Sequence, residues 1–203
     1  IHFAGYINVG ESVVNPLKYF LNNSAKSINL LNALQKSSVS RFVFSSTCAT
    51  YGLPEIVPIS ESEKQLPVNP YGESKLFTEK TLIDFSRVNS IQSVALRYFN
   101  ASGADFESKI GENHKPETHL IPLAIEAVFN PNYTLKIFGQ DYPTFDGSCV
   151  RDYIHVMDLA EGHVAALKFL YNNNGLHTIN LGAGRGVSVL EMIHAFEIGR
   201  AHV

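Results

Sequence analysis

Phe42-Val43-Phe44-Ser45-Ser46-Thr47 is the stretch of sequence that decides the fold. Three large residues that favour β-structure are followed directly by three hydroxyl side chains, a pattern typical of a buried parallel strand. In an open α/β sheet, ligands bind at the carboxyl ends of the strands. The pattern therefore predicts a central strand whose terminal hydroxyl groups lie at a functional edge.

Helical and strand-like segments alternate around this strand. Apolar residues recur at helical intervals over residues 16–35 and 71–85, and we expect the apolar side of the first helix to face a sheet. Residues 53–70 contain four prolines and are predicted to be loop, whereas residues 93–98 resemble another strand. This alternation favours an α/β fold built on a doubly wound parallel sheet.

The pattern changes after residue 100. Residues 101–132 are predicted to be polar loop with one helix that begins near His119, and residues 134–138 and 150–156 resemble strands. The change in composition marks a second, smaller region.

The last third of the chain carries helix-start signals and a glycine-rich loop. Asp158 is predicted to cap one helix, and Ser188 with Glu191 forms a capping box before the last helix. Residues 182–186 resemble a dinucleotide-binding turn, but Val187 stands where its last glycine is needed. We interpret this segment as a loop of the smaller region.

Composition excludes several classes of protein. The 203 residues carry a net charge of −3 without long runs of one sign, so no nucleic-acid or membrane-surface partner is indicated. The chain has no apolar run of the ~18 residues that cross a bilayer. The two cysteines are too few for a disulfide framework, which favours a cytoplasmic protein. Its eight histidines lack any metal-binding motif, so no metal site is predicted.

Tyr71-Gly72-Glu73-Ser74-Lys75 brings a phenol and an ammonium group one helical turn apart. A tyrosine that acts as a base near neutral pH needs its pKa lowered by about three units, roughly 4 kcal/mol. A neighbouring lysine supplies part of that stabilisation. The spacing alone is common on helix surfaces, but the hydroxyl of Thr47 at the end of the central strand makes the combination much rarer.

These residues resemble the Ser/Thr, Tyr and Lys triad of the short-chain dehydrogenase/reductase family. Further segments are similar to its extended, nucleotide-sugar epimerase branch, in order along the chain. They include His2-Phe3-Ala4-Gly5, Asn69-Pro70-Tyr71-Gly72, Arg97-Tyr98-Phe99-Asn100 and Arg151-Asp152-Tyr153-Ile154-His155-Val156.

The resemblance implies an NAD-dependent 4-epimerase that interconverts UDP-glucose and UDP-galactose through a 4-keto intermediate. Thr47 would polarise the sugar 4-oxygen and Tyr71 would remove the 4-hydroxyl proton. Lys75 would bind the nicotinamide ribose and lower the pKa of Tyr71. A homodimer is implied as well.

The resemblance also assigns residues to the two ligands. The cofactor-binding residues would be Ala4, Gly5, Asn22, Ser45, Ser46, Tyr71, Lys75 and Tyr98. The substrate-binding residues would be Thr47, Asn100, His119, Leu120, Phe138 and Arg151. For Arg151, a diphosphate favours the forked guanidinium donor, although an ion pair with Asp152 is the structural alternative.

The resemblance divides the chain into three parts. Residues 1–100 would be the later part of a Rossmann-type NAD-binding domain, whose glycine-rich turn is expected before residue 1. Residues 101–197 would be part of a substrate-binding region with segments that return to the first domain. Residues 198–203 resemble a non-native tail, and we expect the chain as it stands to be inactive.

Three alternatives remain open. A 4,6-dehydratase is disfavoured because Cys48-Ala49 follows Thr47 where those relatives carry Asp-Glu. A 4-epimerase of another UDP-sugar, such as UDP-N-acetylhexosamine, UDP-xylose or UDP-arabinose, is compatible with the motifs. A non-catalytic NAD-binding sensor of the same fold would not need the triad. We interpret Cys48 itself as structural.

Overall fold

The computed structural model describes residues 1–107 and 109–200, with side chains described up to residue 197. It divides into two compact units. The first contains Ile1–Phe99 and Asp158–Leu181, and the second contains Asn100–Met157 and the chain from Gly182 onward. Residues 201–203 of the predicted tail lie outside the described residues, whereas the backbone of residues 198–200 continues the last helix.

A parallel sheet forms the centre of the first unit. Its strands are β1 (Arg41–Ser45), β2 (Gln92–Tyr98) and β5 (Leu176–Leu181), in the order β1-β2-β5. His2 extends the sheet beyond β1 through a parallel bridge to Phe44. The predicted α/β fold and central strand are confirmed.

Alternating side chains of β1 bury apolar surface on both faces of this sheet. Phe42 and Phe44 pack with Leu31 and Leu82 of helices α3 (Lys26–Gln35) and α4 (Pro70–Asn89). Val43 packs on the opposite face with Ala166 and Leu170, at the end of helix α6 (Val156–Phe169). Such two-sided burial explains why β1 is almost continuously apolar.

The predicted helix over residues 16–35 is present but is not a uniform α-helix. It follows a short helix, α1 (Val9–Val14), and consists of α2 (Pro16–Tyr19), a π-helical turn (Phe20–Ala25) and α3. Our expectation that its apolar side faces the sheet is only partly correct, because Leu17 and Leu21 are 71% and 62% exposed while Leu31 is buried. A π-turn adds a residue to the helical ladder and so changes which face the following residues present.

The second unit contains a three-stranded mixed sheet. Strand β3 (Asn100–Ser102) is parallel to β4 (Val150–His155), and β6 (Gly186–Ser188) is antiparallel to β4. Helix α5 (Leu120–Phe129) packs with α7 (Val189–Arg200). The capping box is confirmed, since the backbone N–H of Ser188 donates to Glu191 and that of Glu191 donates to the Ser188 hydroxyl.

Two local predictions in this part of the chain are wrong. Residues 133–139 form neither helix nor strand. Their side chains alternate between exposed and half-buried as in a strand, but no strand of the described chain pairs with them. Asp158 is not a cap, because α6 already begins at Val156 and Asp158 lies in its first turn.

No described helix is both long and apolar enough to cross a membrane.

Candidate active site

Thr47 lies where the chain leaves β1. Its backbone is extended (φ −158°, ψ 149°) and caps the short 3₁₀ turn Cys48–Thr50, with the Thr47 Oγ1 accepting a 3.1 Å hydrogen bond from the Ala49 N–H. The side chain is 7% exposed. The turn thus holds the hydroxyl at the carboxyl edge of the sheet in a single orientation.

Tyr71 lies at the beginning of α4. Asn69 caps this helix by accepting a hydrogen bond from the Gly72 N–H at 2.9 Å, and Pro70 occupies the first helical position. A Cβ atom on Gly72 would lie 2.6 Å from the carbonyl oxygen of Ala49. The glycine therefore allows the start of α4 to approach the turn after Thr47, a contact that the local sequence does not reveal.

The hydroxyl of Thr47 lies close enough to the phenol of Tyr71 to favour its ionised form. Burial raises the pKa of Tyr71 well above its usual value, and the Thr47 hydroxyl opposes the rise only in part. In this structure the phenol therefore holds its proton near neutral pH.

Lys75 lies one turn further along α4 and is 3% exposed. Its ammonium group donates a 2.9 Å hydrogen bond to the carbonyl of Ser45 and lies 5.1 Å from the centre of the Phe44 ring. Burial lowers the pKa of Lys75 to about 8, while the carboxylate of Glu79 opposes the decrease. Burial dominates the pKa of Tyr71, and the expectation that Lys75 lowers this pKa stays a prediction.

The serines before Thr47 have different surroundings. The Ser45 and Tyr98 hydroxyls share a 2.5 Å hydrogen bond between β1 and β2. The Ser46 hydroxyl donates to the buried carboxylate of Glu79. Ser46 is thus held by an internal carboxylate that the sequence analysis did not single out.

Residues at the start of the chain lie next to Lys75. A Cβ atom on Gly5 would lie 3.4 Å from the Lys75 Nζ and 3.1 Å from the Asn23 Oδ1. Asn23 makes two hydrogen bonds to the Tyr6 backbone, at 2.8 and 3.0 Å, and so holds this segment. Of the neighbouring candidates, Ala4 is exposed and Asn22 is half-buried. The sequence analysis did not identify Asn23 as a candidate, although it directly follows the candidate Asn22.

The substrate candidates belong to the second unit, except Thr47. Asn100, His119 and Leu120 line one cavity of about 120 Å³, together with Tyr153. Phe138 is 81% exposed and does not line this cavity.

Arg151 does not form the ion pair that was its structural alternative. The Asp152 carboxylate instead accepts hydrogen bonds from the backbone N–H groups of Ala183 and Gly184, at 2.8 and 2.9 Å. The exposed guanidinium of Arg151 donates to the Val150 carbonyl at 2.8 Å. The glycine-rich loop at 182–186 leads into β6 and not directly into a helix, as expected for a loop of the smaller region.

The two cysteines, Cys48 and Cys149, form no disulfide. This agrees with the expectation that two cysteines are too few for a disulfide framework.

Residues 1–182 match the family model described as "NAD dependent epimerase/dehydratase family". The match covers most of the chain, and the chain belongs to this family.

Several of the relatives that it matches are described as UDP-glucose 4-epimerases. That of Rhizobium leguminosarum bv. trifolii is 52% identical over 97% of this chain and 60% of its own length. The crystal structure from Brucella ovis in complex with NAD is 49% identical, with a TM-score of 0.92 over 98% of this chain and 61% of that one. The structure from Bifidobacterium longum in complex with NAD⁺ and UDP is 41% identical, with a TM-score of 0.93 over 98% and 60% of the two chains. This chain therefore spans about 60% of the length of these relatives.

Proposed function

We propose that this chain is part of an NAD-dependent isomerase of the cytoplasm, a 4-epimerase that interconverts UDP-glucose and UDP-galactose. The observation that carries the proposal is the position of the Thr47 hydroxyl near the Tyr71 phenol, with the buried ammonium of Lys75 one helical turn away. The relatives described above support the substrate, since they are described as UDP-glucose 4-epimerases. We interpret the sheet with helices on both faces as the later part of a doubly wound, Rossmann-type domain.

The first unit offers a suitable surface for NAD. Gly5 keeps the space beside Lys75 free of a side chain, and the Lys75 ammonium has donors left after its bond to Ser45. Ala4, Asn22 and Tyr98 complete the proposed contacts. When bound, NAD accepts a hydride from a sugar carbon and returns it.

Tyr71 and Thr47 would handle the proton of the sugar 4-hydroxyl. The Thr47 hydroxyl lies near the phenol, so a sugar oxygen held between them could contact both. Because burial raises the pKa of Tyr71, positive charge is needed nearby before the phenol can act as a base. Lys75 is the buried cation one turn away. Burial lowers the pKa of Lys75, so its surroundings disfavour the charged ammonium group.

Arg151 is proposed to bind the diphosphate of the substrate. Its guanidinium is exposed, and Asp152 is already bound to the loop at Ala183 and Gly184. A forked, permanently charged donor suits a diphosphate. Asn100, His119, Leu120 and Phe138 are proposed to contact the rest of the substrate.

The alternatives differ in what they require beside Thr47. A 4,6-dehydratase needs an acid and a base there, whereas the 3₁₀ turn carries Cys48 and Ala49. A sensor that only binds NAD would not require Thr47 and Tyr71 to lie together. Epimerases of other UDP-sugars would keep the same triad, so substrate competition must separate them. The homodimer and the inactivity of residues 1–203 remain predictions.

The test is conversion of UDP-galactose to UDP-glucose by the full-length protein. Tyr71→Phe removes only the phenolic oxygen and should lower kcat by ~10²–10⁴-fold. Tyr171→Phe is the matched control, because Tyr171 is 68% exposed and its ring, which contacts Arg41, is kept.

Three other results would redirect the assignment. Retained activity in Tyr71→Phe would refute the role of the triad. Bound NAD without turnover of any UDP-sugar would favour the sensor. Turnover of an N-acetylated or pentose sugar alone would change the substrate but not the class.

A further inference from the structure

Two glutamates and two histidines converge between β3 and α5 of the second unit. Glu112, His114, Glu117 and His119 each offer one ligand atom, and the four atoms lie within 4.8 Å of one another. The sequence analysis set these histidines aside because their spacing matches no metal motif. The folded loop nevertheless brings both imidazoles to the same two carboxylates.

The contacts share donors and acceptors in an unusual way. The Glu112 Oε1 lies 2.9 Å from the His114 Nδ1 and 2.6 Å from the His119 Nδ1. The His119 Nδ1 also lies 2.9 Å from the Glu117 Oε1. A ring nitrogen carries at most one proton, so it cannot donate a full hydrogen bond to two carboxylates at once. The described donors to Glu112 are the two imidazoles, whereas the Glu117 Oε1 also accepts from the backbone N–H groups of Thr118 and His119, at 2.7 and 2.8 Å. Each carboxylate has about four lone-pair sites, so acceptor capacity remains for a cation.

We propose that Glu112, His114, Glu117 and His119 form a binding site for a divalent transition-metal ion, with Zn²⁺ as the best match. Imidazole nitrogen with carboxylate oxygen is a ligand set that zinc prefers, whereas Mg²⁺ and Ca²⁺ prefer oxygen ligands alone. The inference does not rest on the proposed epimerase activity, but His119 also lines the cavity proposed for the substrate, so the metal would lie beside that cavity.

The separations fit four-coordinate zinc after small movements. Zinc–ligand distances of about 2.1 Å in a tetrahedron place the ligand atoms about 3.4 Å apart. The ion-pair distances in the cluster range from 2.6 to 3.7 Å. The histidine side chains are 42% and 40% exposed, so a metal can enter from solvent and the rings can move by the required distance of about an ångström.

A metal at this position would act on the structure of the loop. His119 is the residue before α5, and the ion would tie it to Glu112 and His114. Four protein ligands leave no open coordination position, which is the arrangement of structural and not of catalytic zinc. The expected consequence is a more ordered loop over residues 112–119.

The test uses the full-length protein without an affinity tag, stripped of metal with a chelator. Zn²⁺ is titrated against a chromophoric chelator of known affinity, and Mg²⁺ is titrated in parallel. We expect one Zn²⁺ per chain, with at least ~10-fold weaker binding in His114→Ala and in Glu112→Gln. Circular dichroism checks that each variant is folded.

His194→Ala is the matched control, because His194 is another exposed histidine of the second unit that contacts a glutamate, Glu197, at 3.0 Å. Its zinc affinity should equal that of the unchanged protein. Equal binding by His114→Ala and His194→Ala would overturn the proposal, as would the absence of zinc binding or an equal affinity for Mg²⁺.

Discussion

The two units each contain a cluster of titratable side chains. The clusters differ in burial and in the groups that donate hydrogen bonds to their carboxylates. In the first unit, Glu79 and Arg97 are 1% and 4% exposed and form a salt bridge of 2.7 Å. The remaining capacity of the Glu79 carboxylate is used by donors from Ser46 and Gln65. In the second unit, the cluster around His119 is half-exposed, and its carboxylates accept from imidazole nitrogens and backbone N–H groups with no permanently charged partner described.

Burial explains why the two clusters are built differently. A charge that is removed from water costs several kcal/mol unless its partners satisfy it completely. A half-exposed cluster can leave acceptors to water or to an ion, and each contact then contributes little. The first cluster is therefore expected to govern folding and the position of residues 45–47, whereas the second is free to bind a ligand.

The largest expected effect is that of breaking the buried pair. Arg97→Ala leaves the Glu79 carboxylate buried without its cation, and we expect the free energy of unfolding to fall by about 3–5 kcal/mol. Denaturant unfolding of the full-length protein measures the loss. The double variant Glu79→Leu, Arg97→Met should recover part of it, because an apolar pair needs no counter-charge. A loss below about 1 kcal/mol in Arg97→Ala would mean that this pair contributes no more to stability than a surface ion pair does.

The pH dependence of stability gives a second test of burial in the first unit, through Lys75, whose pKa is influenced by Glu79. Its folded-state pKa of about 8 lies below the usual 10.5, so between these values the unfolded chain binds more protons than the folded chain. Stability therefore rises as the pH increases through this window, by up to about 3 kcal/mol for so buried a group. Denaturant midpoints at pH 7.5 and 9.5 measure the rise, and Lys75→Met should reduce it. An equal rise in Lys75→Met would contradict the assignment.

Local pattern was sufficient to predict the elements that carry the triad. The apolar run followed by hydroxyls predicted β1 and the position of Thr47, and helical periodicity after a proline-rich loop predicted the beginning of α4. Each signal lies within one element, so burial and spacing along the chain are enough to read it.

Contacts between distant segments could not be predicted in this way. Glu79 and Arg97 lie on different elements, and nothing near either residue indicates the other. The strand predicted at residues 134–138 failed for the same reason, since a strand requires a partner that its own sequence does not specify. The pKa of Tyr71 depends mainly on burial, which the spacing to Lys75 does not reveal.

A smaller effect is expected from the close packing beside the triad. In Gly72→Ala the new methyl group would lie 2.6 Å from the Ala49 carbonyl oxygen, which forces α4 away from the turn after Thr47. We expect a loss of about 1–3 kcal/mol in stability and a fall in kcat, because the distance between Tyr71 and Thr47 changes. Gly10→Ala is the control, since its Cβ would meet only the Asn8 Oδ1, at 3.5 Å. Equal kcat values for the two variants would show that this contact does not position Tyr71.

The smallest effect is expected in the second unit, at Asp152. Its carboxylate accepts two hydrogen bonds from the exposed loop at Ala183 and Gly184, and Asp152→Asn retains only one oxygen acceptor and loses the charge. Because water can replace the lost bond, the cost should be about 1 kcal/mol, equivalent to a roughly fivefold change in local opening. Amide hydrogen exchange of Ala183 and Gly184 measures this opening directly, and global unfolding should be nearly unchanged. Asp141→Asn, the same change at an exposed aspartate, should leave both amides unaffected. If Asp152→Asn instead destabilised the whole protein as strongly as Arg97→Ala, partial exposure would not be what separates the two units.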